Sequence, residues 1–216
     1  MGIVQEEAGR GPLREAVYLQ LRRAIIEGEL KPGDPLGEIS IAQQFRTSRS
    51  PVREALGRLE QEGYLVRKSN GRGIVAPLDK SELWNLYQVR AAVEGLAARL
   101  ATPYLTGLAI ESMEGHLNEM REHALAQDVE ASLRAGGNFH DILLDHCPNK
   151  PLREIVELVR TRIQRYRQLV ATLRDREVRV GEHRAILRAL SRRDELAAEA
   201  AMQKHILRSA EDILKS

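Results

Sequence analysis

The pair Ser50-Pro51, followed by apolar residues at Val52, Ala55, Leu56 and Leu59, constrains this chain more than any other feature. Proline has a preset φ and no backbone donor, so it belongs where a helix begins and its amides have no intrahelical partner. The preceding serine can cap those free amides. The segment 51–62 is therefore expected to be a helix that buries one face and leaves Arg49, Ser50 and Arg53 near its exposed N-terminal end. Such a helix can put its first turn into a major groove.

The flanking segments complete a small domain. Val17, Leu21, Ala24 and Ile25 recur at helical spacing within 13–27, and Gly28 ends that run. Segment 38–45 reads as a short helix with Ile41, Ala42 and Phe45 on one face, and Arg46-Thr47-Ser48 makes the turn. After Gly63, the runs Tyr64–Arg67 and Gly73–Ala76 flank a basic, glycine-containing tip, which is the pattern of a hairpin. Glycine there permits close backbone approach, and Lys68 or Arg72 can reach a phosphate. Helix, turn, helix and basic hairpin make a winged helix.

Beyond Pro77 the texture changes to long stretches of Ala, Leu, Glu and Arg. The expected boundary gives residues 1–78 as a winged helix-turn-helix and 79–216 as an all-α bundle. Its six helical segments are placed at about 81–101, 105–126, 129–146, 150–173, 176–192 and 194–214. The fold class is mainly α with one small β-hairpin.

Charge and composition narrow the function. Net charge is +2, but between Arg46 and Arg72 the bases Arg46, Arg49, Arg53, Arg58, Arg67, Lys68 and Arg72 face only Glu54, Glu60 and Glu62. That local excess is the expected phosphate-facing surface. Aromatic residues make up 4% of the chain, which argues against base stacking as the main activity. One cysteine, Cys147, closes no intramolecular disulfide and excludes a cysteine-rich zinc module. The opening MGIVQEE does not read as a signal peptide, and no apolar run approaches a membrane span, so a cytoplasmic protein without membrane partners is expected.

The second region carries all six histidines. His140 falls in line with Leu133, Leu143, Leu144 and Cys147; His183 with Ile186, Leu187 and Leu190; His205 with Met202, Ser209 and Ile213. These three are expected to point inward, whereas His116, His123 and His146 have mixed neighbours. Inward histidines on three helices can converge on one metal ion, or each can be a hydrogen-bonded core residue. Arg90 can clamp a ligand carboxylate, or pair with Glu94 at the helical four-residue spacing. Arg162, Arg165, Tyr166 and Arg167 are further candidates to line a cavity.

The stretch TSRSPVREALGRLEQEGYLVRKSNGRGIVAP, with AIIEGELKPGDPL upstream, resembles the GntR family of bacterial transcription regulators. The resemblance implies operator contacts from Ser48, Arg49, Ser50 and Arg53, and from Gly71 and Arg72 in the wing. Many members carry an arginine where this chain has Ile39, so no particular operator sequence transfers. The stretches VRAAVEGLAARLA, NFHDILLDHCPNKPL, GEHRAILRAL and AMQKHI resemble the FadR-type effector domain, the FCD domain, in its six-helix VanR-like form. In metal-binding members one aspartate and three histidines hold the ion, and the histidines correspond to His140, His183 and His205. The aspartate's place, one turn before His140, is taken here by Gly136.

The resemblance thus implies a homodimeric regulator, commonly a repressor, with double-stranded operator DNA, a small carboxylic acid and a divalent metal such as zinc or nickel as partners. Two other readings are open. One is an architectural DNA-binding protein whose bundle only dimerises. The other is a metal-dependent hydrolase, for which Glu182 is the nearest acid–base candidate, although it should project off the face of His183.

Overall fold

A computed structural model describes residues 10–166 and 176–215. They form two compact units: one comprises the residues up to Asp79 together with 164–166, the other Lys80–Ile163 and 176–215.

In the first unit, α1 (Arg10–Glu27) packs on α3 (Arg49–Gln61), with the short α2 (Glu38–Gln44) leading into it. The core is built from Val17, Tyr18, Leu21 and Ile25 of α1 and Val52, Ala55, Leu56 and Leu59 of α3, closed by Tyr64, Leu65 and Val75. These are the positions that helical periodicity selects. The wing is β1 (Leu65–Arg67) against β2 (Gly73–Val75), antiparallel, with Leu65 opposite Val75 and Arg67 opposite Gly73. At its tip Gly71 takes a φ of +78°, and Lys68 N–H donates to the Arg72 carbonyl at 2.9 Å. The chain before α2 adds a third edge. Pro35 bridges to Ile74, while Leu36 donates to Gly73 and Val75 donates to Asp34, each at 2.9 Å.

Helix α3 begins two residues earlier than expected. Ser48 is its N-cap, in extended conformation and without a side-chain cap bond, so Ser50 lies inside the first turn rather than capping it. Pro51 is tolerated there because none of the first amides of a helix has an intrahelical acceptor. The turn before α3 is held by Thr47 N–H on the Ala42 carbonyl, with Arg46 at a φ of +50°.

The second unit contains six helices among the described residues: α4 (Lys80–Ala101), α5 (Gly107–Leu125), α6 (Val129–Asp145), α7 (Lys150–Gln164), α8 (Arg176–Ser191) and α9 (Glu195–Lys215). Helices α4 and α9 form the most extensive pair, α5 packs on α6 and α8, and α8 packs on α9. Side-chain caps fix several starts: Thr106 for α5, Asp128 for α6, Asn149 for α7 and Asp194 for α9, each accepting a backbone amide at 3.0 or 3.1 Å. Helix α7 ends at Gln164, short of the expected 173; residues 167–173 lie outside the described residues. Among the described residues no helix is long and apolar enough to cross a membrane.

Leu59 is fully buried between α1 and α3. Leu59→Ala should lower the unfolding free energy of the first unit by about 2–5 kcal/mol through the cavity it leaves, as read by urea denaturation. A loss below about 1 kcal/mol would contradict this packing.

Candidate nucleic-acid interface and candidate metal centre

In the first unit, α2, the head of α3 and the wing enclose an open cleft of about 740 Å³. Arg49 and Arg53 reach it from α3, Gly71 and Arg72 from the wing tip, so four of the six expected contact residues share one concave face. Ser48 and Ser50 are exposed at the same helix end but do not line it. The other basic residues divide by partner. Arg58 binds Glu15 and Glu62 and lies 3.6 Å from the centre of the Tyr18 ring, which makes it a packing residue. Arg67 is tied to Glu60 at 2.9 Å. Arg72 and Lys68 have no ion-pair partner among the described residues.

Sequence reasoning missed Glu38. It accepts from Arg53 and Arg49, and those hydrogen bonds, that of Arg53 foremost, hold its carboxyl below the usual range. The only signal was an acid in the first turn of a helix preceding two arginines four residues apart.

In the second unit, His140 on α6, His183 on α8 and His205 on α9 converge. They are 4%, 4% and 5% exposed, and one ring nitrogen of each lies within 4.8 Å of those of the other two. The rings are in contact, with centroids 4.3 Å apart for His183 and His205 and 5.2–5.3 Å for the pairs with His140. Each Nδ1 faces an acceptor. His183 Nδ1 donates to the Arg179 carbonyl at 2.9 Å and His205 Nδ1 to Glu182 Oε2 at 3.0 Å. His140 Nδ1 lies 3.1 Å from Glu94 Oε2, within ion-pair distance but off the hydrogen-bond line. A carbonyl or carboxylate can only accept, so the proton sits on Nδ1 of His183 and His205 and their Nε2 lone pairs are left over. His183 Nε2 is buried with no hydrogen-bond partner among the described residues.

Position 136 faces this cluster. A Cβ on Gly136 would lie 3.6 Å from His183 Nε2 and 3.7 Å from Met120 Sδ, in ordinary contact. A side chain there would lie against His183, and glycine leaves the position beside its Nε2 without one. Asp141 does not replace it, being exposed and bound to Arg160 Nη1 at 2.6 Å. The residues present fit a divalent ion, with three imidazoles, an unpaired nitrogen and outer partners that orient the rings as metal-binding histidines require.

Arg90 is bound to Glu94, its Nε donating to Oε1 at 2.7 Å. Glu94 is 1% exposed and also receives Arg160 Nε and Nη2, at 2.9 and 3.2 Å. Burial alone would raise its pKa, but Arg90, Arg160 and His140 together hold it well below the ordinary value. Glu182, next to His183 in the chain, reaches His205 on the neighbouring helix. Arg165 and Tyr166 do not line this site. They are buried in the first unit, where Arg165 donates to the Gly63 carbonyl at 2.9 Å and to the Tyr166 hydroxyl at 2.7 Å. Arg162 is exposed, and Arg167 lies outside the described residues.

Two family models match the chain: "Bacterial regulatory proteins, gntR family" over residues 13–75 and "FCD domain" over residues 85–208. The HTH-type transcriptional regulator LutR of Bacillus subtilis is 32% identical over 213 residues, 88% of this chain and 95% of that protein. The HTH-type transcriptional repressor RspR of Escherichia coli K12 is 26% identical over 94% of this chain and 89% of that protein. Among solved structures, Escherichia coli McbR/YncC aligns with a TM-score of 0.75 at 21% identity, covering 94% of this chain and 97% of that one, a likeness of fold.

Burial holds all three histidines below their ordinary pKa, furthest for His183 and His205. The folded state keeps them neutral while the unfolded state takes up protons below about pH 6.5, so stability is present above that pH and withdrawn as pH falls. Metal-stripped protein should therefore lose stability progressively as pH falls below about 6.5, read from denaturation of the second unit. An unchanged midpoint over that range would show the histidines to be solvated.

Proposed function

The chain belongs to the gntR family of bacterial regulatory proteins and carries an FCD domain behind its winged helix; on that premise we propose that it is a ligand-controlled operator-binding repressor. The named relatives are transcription regulators rather than enzymes, so the hydrolase reading is set aside. In the proposed division of labour, residues 1–78 read DNA and residues 79–216 bind the effector and a second copy of the chain.

On the DNA side, Ser48, Arg49, Ser50 and Arg53 would enter the major groove from α3, and Gly71 and Arg72 would meet the backbone or minor groove from the wing. The shared concave face of Arg49, Arg53, Gly71 and Arg72 supports this assignment. Repression is supported by the relative whose name states it. Dimerisation is supported by α7, which buries Leu152, Val156, Val159 and Ile163 yet leaves Ile155 and Leu158 exposed on another face. Paired half-sites require paired recognition helices.

On the effector side, the observation that carries the reading is the unpaired, buried Nε2 of His183 beside the space left by Gly136. His140, His183 and His205 would hold a zinc or nickel ion, which when bound supplies a Lewis-acidic position for a carboxylate. Glu182 and the Arg179 carbonyl fix the rings of His205 and His183, and Glu94 lies against His140. Arg90 donates its Nε–H to Glu94 and also hydrogen-bonds Tyr87, and a ligand carboxylate would use its other N–H groups. An effector changes operator affinity only as far as it binds the DNA-competent and DNA-incompetent states differently.

Metal-stripped protein is melted with and without zinc or nickel, across a panel of small carboxylic acids. The expected result is a metal-dependent rise in midpoint, equivalent to about 2.7 kcal/mol at a hundredfold excess over Kd, that disappears in His183→Ala. A further rise with one class of acid, matched by a change in operator affinity, identifies the effector. No shift with either metal or any acid would leave a bundle that only dimerises, as an architectural DNA-binding protein would.

A further inference from the structure

Both arginines at the head of the recognition helix are held by one carboxylate. Glu38, in the first turn of α2, accepts from Arg53 Nε at 3.1 Å and Arg53 Nη2 at 3.0 Å, and from Arg49 Nη2 at 3.3 Å. Among the described residues lining the cleft it is the sole acid, set against Arg49, Arg53, Arg67 and Arg72. The arginine side chains are 59% and 62% exposed, so the pairs are solvated and contribute little to stability. Their geometry needs another account.

Arg53 meets Glu38 side-on, through Nε and Nη2. A guanidinium has five N–H donors in a rigid plane, so this grip leaves the opposite edge, between Nη1 and Nη2, available as a second fork. That edge is the one that meets two acceptors at once, as on a guanine O6 and N7 or a phosphate. We propose that Glu38 is a positioning residue for sequence reading: it fixes the plane of Arg53 so that its free fork meets the duplex, and it withholds part of the arginine charge from phosphates of any sequence. One carboxylate against two guanidiniums leaves this helix end with a net charge near +1 rather than +2. Indiscriminate attraction is reduced while the reading group stays ordered. The inference rests on the cleft being the DNA-binding face.

The probes are a duplex selected from a randomised pool by the wild-type protein and a scrambled duplex of the same composition, titrated by fluorescence anisotropy over a salt series. Glu38→Gln should bind the scrambled duplex more tightly, with a steeper salt dependence, and should lose about tenfold in discrimination between the two. Arg53→Lys keeps the charge but not the fork, so it should lose discrimination similarly, and the double variant should lose no more than Arg53→Lys alone. Discrimination at the wild-type level in Glu38→Gln would overturn the proposal. So would additive losses in the double variant, or a lowered melting point with equal loss on both duplexes. A wild-type protein that selects no duplex would remove the DNA-binding reading of the cleft, and the proposal with it.

Discussion

Three imidazoles lie within ring contact inside the helical unit, and that arrangement disfavours charge on them. Charge on any two at a centroid separation of 4.3–5.3 Å would be repulsive and desolvated at once. Burial acts in the same direction by favouring the neutral form, and the acceptors at Nδ1 of His183 and His205 fix where the remaining proton sits. The consequence is a set of lone pairs with no protein partner to take them, most plainly at His183 Nε2. An apolar core would not leave such a group unmatched without function or strain. The glycine at 136 belongs to the same arrangement. It places two glycines in succession within a helix, at about 1 kcal/mol each relative to alanine, and leaves the approach to that nitrogen open.

Charge is handled differently in the two units. Around Glu94 the partners are buried or half-buried, and the carboxylate stays ionised because Arg90 and Arg160 surround it; removing Glu94 would leave both guanidiniums without its charge. Around Glu38 the same two-arginine arrangement is open to solvent, so its ion pairs contribute little to stability and leave the outer edge of Arg53 facing solvent. Similar chemistry thus builds a buried outer shell in one place and a solvent-facing clamp in the other.

Local patterns made the fold legible. The periodicity of Val17, Leu21 and Ile25, the glycine turn at 71 and the caps ahead of four of the bundle helices all depend on neighbours in the chain. The inward faces of His140, His183 and His205 were readable for the same reason. The start of α3 was misplaced because Pro51 fits any position of the first turn, so it marks a helix beginning without fixing the residue. Arg160 and Glu38 were missed because their partners come from other elements: Arg160 meets Glu94 across 66 residues, and Glu38 meets Arg53 across 15. Arg165 and Tyr166 were grouped with the bundle because the sequence places them in a helical segment 150–173, and only tertiary packing assigns them to the other unit.

The most direct measurement is X-ray absorption at the zinc edge of protein reconstituted with zinc after metal removal, alongside total metal analysis. The account predicts one zinc per chain with three imidazole nitrogens at about 2.0–2.1 Å and the remaining ligation by light oxygen atoms, reduced by one imidazole or lost in His205→Ala. Protein that retains no zinc, or a zinc spectrum unchanged in that variant, would contradict it.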